Sequence, residues 1–214
     1  MNKIIRRKNF WIFVSVLIVI GLLVFLYLIW QKNSLTARAY ENYLDRNMSQ
    51  SENLYERAEK YWFLNAEENF NYALVLYINK NNIQKAITKY DLAYKKKYRE
   101  YESLNNIANC YRELLDIEKA KQYYIMAIEH SNSEKSGYVN LINMMIKNNL
   151  EYSHYLKQAE DNLEIQDIVD LYLTIIESYV VKKDDDMIAS YIREVDSHDP
   201  DNEIVKKYKI YYEQ

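Results

Sequence analysis

The sequence predicts an all-α protein in which one membrane-spanning helix is followed by an α-solenoid of helix pairs. Three observations predict it. A 21-residue apolar run near the N-terminus is long enough to cross a bilayer. The rest of the chain has one glycine, Gly137, and one proline, Pro200, although sheet folds depend on turns rich in these residues. Apolar residues in that part recur with a period of 34 residues, which is typical of stacked helix pairs.

The apolar run extends from Phe10 to Trp30, and only Ser15 and Gly21 within it are not strongly apolar. A helix of this length measures about 31 Å, against a hydrocarbon core of roughly 30 Å. A buried helix of a soluble domain would have a polar face, and this run has none. We therefore predict a transmembrane helix over residues 10–30.

A cleaved signal peptide is the alternative interpretation of the same run. Signal-peptide cores measure about 7–15 residues and end close to a cleavage site with small side chains. Ala37-Arg38-Ala39 has such side chains, but it lies several residues beyond the run and past charged Lys32. Tyr27 and Trp30, at the end of the run, suit a membrane interface. A permanent anchor is therefore favoured over a signal peptide.

Basic residues flank the apolar run unequally. Residues 1–9 contain four of them, and only Lys32 and Arg38 follow the run closely. Cytoplasmic flanks carry the excess of positive charge. We therefore expect residues 1–9 to form a cytoplasmic basic tail and the C-terminal domain to lie outside the cytoplasm, at a bacterial inner membrane.

The chain beyond residue 30 is acidic. The tail takes four of the 28 basic residues, which leaves 24 against 31 acidic residues and a net charge of −7. A nucleic-acid-binding protein needs a basic surface to neutralise phosphate. No nucleic-acid partner is therefore expected.

Candidates for catalysis or metal binding are few. Cys110 is the only cysteine, and His130, His154 and His198 share no metal-ligand spacing. With so few glycines there is no phosphate-binding loop and no dinucleotide fingerprint. We expect no cofactor, no metal and no enzymatic activity.

The 34-residue period runs through residues 67–202 without an insertion or a deletion. Apolar positions within each copy are three or four residues apart, so each copy predicts two amphipathic helices. The aligned positions of the first helices are Phe70, Leu104, Tyr138 and Tyr172, then Ala73, Ile107, Leu141 and Ile175, then Tyr77, Tyr111, Met145 and Tyr179. Those of the second helices are Ala86, Ala120, His154 and Ile188, then Tyr90, Tyr124, Gln158 and Ile192, then Ala93, Ala127, Asp161 and Val195.

Polar residues separate the two helices of each copy. They are Asn79-Lys80-Asn81-Asn82, Asp116, Asn148-Asn149 and Asp184-Asp185-Asp186. Asn and Asp favour turns and helix N-caps, so we expect the second helices to begin there.

These positions resemble the tetratricopeptide repeat, whose 34-residue motif has a large residue, then Leu and Gly or Ala, then Tyr, Ala, Phe or Tyr, Ala and Pro. The copy over 101–134 matches the motif with Leu104, Ile107, Ala108, Tyr111, Ala120, Tyr124 and Ala127. Pro200 matches the family's terminal proline. The copy over 135–168 departs from the motif at both alanine positions, and we expect its second helix to be slipped by one, with Tyr155 and Ala159 inward. The resemblance implies a right-handed α-solenoid.

We divide the chain beyond the transmembrane helix into three parts. Residues 31–66 are predicted as a linker with an irregular helix pair, and residues 203–214 as a capping helix. The first helix of that pair is marked by Tyr40, Tyr43 and Leu44, and the second by Leu54, Ala58, Tyr61 and Trp62. Residues 67–202 are predicted as four tetratricopeptide-like repeats, namely 67–100, 101–134, 135–168 and 169–202. A solenoid needs a cap because each repeat buries its apolar face only against a neighbour.

The resemblance also implies a concave groove that is lined by the first helices. The family's inward repeat positions give Asn71, Asn105, Asn106, Asn109, Arg112, Asn140, Asn143 and Lys147 here. Some relatives hold a terminal carboxylate with basic residues at the positions of Asn105, Asp170 and Thr174, so that clamp is missing. An asparagine amide both donates and accepts, as a peptide backbone does. We therefore expect these residues to bind an extended peptide.

The expected function is that of a membrane-anchored protein-binding scaffold, a tetratricopeptide adaptor or chaperone-like accessory factor. It would capture protein segments in the groove on the extracytoplasmic face. The alternative is a structural subunit or oligomerisation module of a membrane complex, such as a secretion or envelope-assembly machine. The partner is then a fixed subunit or another copy of the chain, so homo-oligomerisation stays open.

Overall fold

The computed structural model describes residues 2–80 and 82–212, and these residues contain eleven α-helices and no strand. The helices are α1 (Asn2–Leu44), α2 (Met48–Glu59), α3 (Ala66–Asn79), α4 (Ile83–Lys95), α5 (Glu100–Glu113), α6 (Ile117–His130), α7 (Lys135–Lys147), α8 (Ser153–Asn162), α9 (Ile165–Lys182), α10 (Asp185–His198) and α11 (Glu203–Tyr212). They form two compact units, unit 1 (Met1–Lys96) and unit 2 (Lys97–Gln214). The all-α fold predicted from the periodicity is confirmed.

Helix α1 begins unit 1, and its Phe10–Leu44 portion is long and apolar enough to cross a membrane. The helix continues without a break through residues 31–44, where the sequence predicts a linker and then the first helix of an irregular pair. Its last turns belong to the folded unit, because Leu35 and Ala39 are buried and the carbonyl of Ala39 accepts a hydrogen bond from Ser51 of α2. The apolar stretch and the residues that pack in unit 1 thus belong to one continuous helix.

Helices α2, α3 and α4 complete unit 1. Tyr55 of α2 and Tyr72 of α3 stack with ring centroids 5.0 Å apart, and Phe70 meets Tyr90 of α4 edge to face at 5.5 Å. Helix α2 ends at Glu59, so the expected helical residues Tyr61 and Trp62 lie in the loop that follows it. Aromatic packing between consecutive helices therefore forms this core.

Unit 2 alternates first helices (α5, α7 and α9) with second helices (α6, α8 and α10), and α11 packs on α10 through buried Val205. All three first helices bury the first two aligned columns: Leu104, Tyr138, Tyr172, Ile107, Leu141 and Ile175. In the third column Met145 and Tyr179 are buried, whereas Tyr111 is half-buried. Helices α6 and α10 bury their aligned columns as well, with Ala120, Tyr124, Ala127, Ile188, Ile192 and Val195. These columns of the 34-residue period therefore form the core of unit 2.

Helix α8 departs from the period. His154 and Asp161 occupy the alanine columns and are exposed, whereas Ala159 is fully buried and Tyr155 is half-buried. The expected slip by one position is confirmed. A polar side chain in a core column costs desolvation free energy, so α8 turns a different face inward.

Polar caps begin α4, α6 and α10, as their sequence predicts, whereas α8 begins at Ser153, beyond Asn148-Asn149, and has no side-chain cap. The side chains of Asn82, Asp116 and Asp184 accept hydrogen bonds from the backbone N–H three residues later, at 2.9, 3.2 and 3.2 Å. The first helices of unit 2 end on left-handed residues 34 positions apart, Leu115, Asn149 and Lys183, with φ of 59°, 55° and 59°. None of these is glycine, which is the residue that usually adopts this conformation.

Candidate functional site

The candidate site comprises α5 and α7, which carry seven of the eight predicted groove residues, and the next first helix, α9. It is called the first-helix face below. Two side-chain bridges join its helices. Asn140 of α7 donates from Nδ2 to Oδ1 of Asn105 on α5 at 3.1 Å. Ser178 of α9 donates from Oγ to Oδ1 of Asn143 on α7 at 2.9 Å. Both bridges join residues 35 positions apart, so neighbouring first helices pair diagonally across one repeat.

Lysines reinforce the two ends of the pair α7–α9. Near the start, the Lys135 ammonium lies 2.8 Å from Asp167 and 2.6 Å from Asp170, and hydrogen bonds to these carboxylates raise the pKa of Lys135. Near the end, Lys182 donates to the carbonyl of Ile146 at 2.9 Å and to the side chain of Asn149 at 2.5 Å. Polar bridges therefore join α7 and α9 at both ends of the pair.

Asn109 has an internal partner on a second helix. The phenol of Tyr124, which is fully buried on α6, donates to Oδ1 of Asn109 at 2.7 Å. This bond satisfies a buried hydroxyl, so Asn109 has a role in the stability of the pair α5–α6. The sequence pattern alone did not reveal this role, because the two residues lie on different helices.

Three of the seven predicted groove residues on α5 and α7 have no side-chain hydrogen bond within residues 2–80 and 82–212. Asn106 and Arg112 on α5 are half-buried, and Lys147 at the end of α7 is exposed. They offer amide, guanidinium and ammonium donors, and the amide also accepts. A ligand on this face would therefore meet these three groups first.

Asn71, the eighth predicted groove residue, lies on α3 in unit 1 and is half-buried. The positions of the family's carboxylate clamp have other partners. Asp170 is paired with Lys135, and the hydroxyl of Thr174 donates to the Asp170 carbonyl at 2.8 Å. Neither residue supplies a positive charge.

Two open clefts flank α8. The cleft between α6 and α8 has a volume of about 620 Å³ and includes Ile125, Ile128 and Tyr155 in its lining. The cleft between α8 and α10 has a volume of about 660 Å³ and includes Leu156, Tyr172 and Tyr191. Sequence reasoning missed both clefts, although the lost alanine columns at His154 and Asp161 signalled loose packing on either side of α8.

Metal chemistry finds no support in the described ranges. No group of three or more His, Cys, Asp or Glu side chains there is arranged to hold a metal ion. Cys110 is fully buried, and burial raises the pKa of its thiol to about 12, which suppresses the nucleophilic thiolate. Cys110 is therefore a packing residue.

No protein-family model and no curated protein matches the chain. Solved structures do match. PilF of Pseudomonas aeruginosa is 18% identical with a TM-score of 0.56, over 84% of this chain and 82% of its own. YrrB, described as a tetratricopeptide-repeat protein with an unusual peptide-binding site, is 12% identical with a TM-score of 0.55, over 82% and 90%. PilW, described as a widely conserved type IV pilus biogenesis factor, is 14% identical with a TM-score of 0.57, over 83% and 82%.

These similarities span most of each chain, and identities this low bear on the fold alone. They agree with the 34-residue period, the alternating first and second helices and the buried columns. The chain therefore has the fold of the tetratricopeptide-repeat proteins.

Proposed function

We propose that the protein is a membrane-anchored scaffold that binds an extended protein segment on the first-helix face. The observation that carries the proposal is the contrast between bridged and free side chains on that face. Asn105, Asn140 and Asn143 are held by internal bonds, whereas Asn106 and Arg112 are not. A rigid surface that presents unused donors binds a chain at a low entropic cost.

The similar structures support this class of function. YrrB is described as having a peptide-binding site, and PilW as a factor in pilus biogenesis. Both descriptions fit a scaffold for other proteins better than an enzyme. The apolar stretch of α1 would anchor the scaffold, and the basic residues before it favour an extracytoplasmic position for the repeats.

A structural subunit is the second candidate, and exposed apolar turns favour it. Leu115 and Val181, near the ends of α5 and α9, are both 82% exposed. Apolar side chains at such positions lose contact with water when another subunit covers them. A second copy of the chain on this edge would make the protein part of an assembly.

A photoreactive amino acid at Asn106 tests the site. In native membranes we expect it to form a covalent adduct, and the mass of the adduct separates the two candidates. A heterologous protein supports the scaffold, and a dimer of the chain supports the structural subunit. The control places the same group at Glu118, which is exposed on the second helix α6. Equal adducts at both positions, or none at Asn106, would contradict the site.

Replacement of Arg112 and Lys147 by Ala, with the photoreactive group kept at Asn106, should weaken the adduct about tenfold or more, since hydrogen bonds from charged donors contribute about 1.5–3 kcal/mol each. Asn109 and Asn140 are unsuitable for this test because both are bonded internally.

The topology is tested by labelling a single exposed thiol. Ser133 lies in the exposed turn after α6, whereas Cys110 is buried. We expect the Ser133→Cys variant to react with a membrane-impermeant maleimide in intact cells, and the parent chain, with its buried Cys110, to stay unlabelled. Labelling that requires lysis of the inner membrane would place the repeats in the cytoplasm.

A further inference from the structure

A loop of unit 1 touches the apolar part of α1. The ring of Trp62, in the loop between α2 and α3, meets the ring of Phe25 edge to face, with centroids 5.2 Å apart and an interplanar angle of 85°. Phe25 lies five residues before Trp30, the end of the apolar run, which is about 7.5 Å of helix. The loop therefore lies beside the apolar run and not beyond its end.

The same loop exposes aromatic surface. Phe63 is 83% exposed and Trp62 is 39% exposed, and their ring centroids lie 5.9 Å apart. Tryptophan is enriched at the membrane–water interface, where its apolar ring and its polar N–H are both accommodated, and exposed phenylalanine rings insert at the boundary with the acyl chains. Two adjacent aromatic residues next to an apolar helix thus match an interfacial contact.

Fixed contacts hold the loop at this level of α1. The carbonyl of Leu64, whose side chain is buried, accepts hydrogen bonds from Lys96 Nζ and from Asn69 Nδ2, both at 3.0 Å. Asn65 then caps α3 in a reciprocal box with Glu68. These bonds fix the loop to the start of α3 and to the end of α4.

Glu68 ties the cap of α3 directly to α1. Its carboxylate accepts from Lys32 at 2.7 and 2.9 Å and from Thr36 at 3.0 Å, and Lys32 is itself buried. A buried ion pair with further hydrogen bonds fixes geometry, because breaking it leaves an uncompensated charge. The bonds of Glu68 therefore fix the position of α3, and of the loop before it, relative to the apolar run of α1.

Charge favours a lipid surface as the occupant of this edge. Two exposed lysines lie at the loop: Lys60 is part of it, and Lys96 donates from Nζ to the carbonyl of Leu64. Exposed lysines beside an apolar insertion complement the phosphates of lipid headgroups. A bilayer around the apolar part of α1 also reaches the loop beside it. A protein partner would not need to contact both.

We propose that the loop of residues 60–65 is a second membrane contact, which inserts Trp62 and Phe63 into the lipid interface beside α1. This inference rests on the membrane anchor of the proposed function. Two points of contact, the helix and the loop, would fix the orientation of unit 1 against the bilayer. Unit 1 would then be held at the membrane surface instead of moving on a tether.

Tryptophan fluorescence of the full chain in nanodiscs tests the contact. The three tryptophans, Trp11, Trp30 and Trp62, allow variants that each keep one and replace the others by Phe. The probe is phosphatidylcholine brominated in the upper acyl chain. A matched control removes all three and carries Ile78→Trp, because Ile78 is partly exposed twelve residues along α3 from its start, about 18 Å from the loop.

We expect at least a twofold loss of emission for Trp62 and for Trp30, and little loss for the Ile78→Trp control. Quenching of Trp30 without quenching of Trp62 overturns the loop contact and leaves the anchor in place. If neither Trp30 nor Trp62 is quenched, both the anchor and the loop contact are wrong. The variant that keeps Trp62 leaves residues 60–65 unchanged, so its measurement requires no substitution in the loop.

Discussion

The pairs α5–α6 and α7–α8 occupy equivalent places in consecutive repeats. Only in the pair α5–α6 does the second helix bury the residues at the motif positions. Ala120, Tyr124 and Ala127 of α6 are fully buried. The residues 34 positions later are His154, Gln158 and Asp161, and α8 buries only Ala159. The first helices α5 and α7 keep the same columns in the core. A repeat can therefore keep the buried motif residues of its first helix while its second helix loses them.

The asparagines of the two pairs show the consequence. Asn109 and Asn143 are also 34 positions apart, and Asn109 accepts the phenol of Tyr124 within its own repeat. The equivalent of Tyr124 is Gln158, so Asn143 has no such partner and accepts from Ser178 of the next first helix. Asn109 is therefore bonded within its own repeat, whereas Asn143, which has no aromatic partner on α8, is bonded to the next repeat.

The largest expected difference is between Tyr124→Ala and Tyr155→Ala. Tyr124 is fully buried, so its truncation should cost about 3–5 kcal/mol of the free energy of unfolding. Tyr155 is half-buried on α8, and its truncation should cost less than about 1.5 kcal/mol. Urea unfolding of the detergent-solubilised chain, followed by circular dichroism, measures both. Equal costs would mean that α8 is packed as well as α6.

The asparagine pair should give a smaller difference. Asn109→Ala leaves the buried Tyr124 hydroxyl without its acceptor and should cost about 1–3 kcal/mol. Asn143→Ala frees only the half-buried Ser178 hydroxyl, which water can reach, and should cost about 0.5–1.5 kcal/mol. The same unfolding measurement applies, and Tyr124→Phe is the control. A double variant, Asn109→Ala with Tyr124→Phe, should recover much of the loss, and no recovery would refute the assigned partner.

The smallest expected effect concerns the turns that end α5 and α7. Leu115 and Asn149 both have left-handed φ angles, and Leu115 is exposed. A left-handed conformation costs a branched residue about 1–2 kcal/mol, and asparagine tolerates it better. Leu115→Gly should therefore stabilise the chain by about 1 kcal/mol. Asn149→Gly relieves little strain and removes the exposed bond from Lys182, so it should not stabilise the chain. A destabilising Leu115→Gly would show that the exposed leucine has a packing role.

Much of the fold was predictable because the period of the core is local. Spacings of three and four residues predict amphipathic helices, and a repeat of 34 aligns Leu104 with Tyr138 and Tyr172 without reference to any contact. The caps at Asp116 and Asp184 were predictable for the same reason, since a capping side chain bonds three residues along its own chain.

The candidate site was less predictable from the sequence. The period identified Asn105, Asn109, Asn140 and Asn143 as polar positions of first helices, but their hydrogen bonds join different helices. Partner choice depends on side-chain distances across the interface, which no spacing along one helix encodes. The use of Asn106, Arg112 and Lys147 by a ligand stays a prediction.

The sequence by itself determined that this protein is helical, that its repeats stack at a 34-residue period and that its N-terminal stretch is apolar enough for a bilayer. These properties follow from composition and periodicity, which are summed over many residues and survive local exceptions. Only the tertiary structure decided that α1 runs without a break into unit 1 and that Trp62 meets Phe25. Each of these depends on a few contacts between residues far apart in the chain, and such contacts form only when the packed helices bring them together.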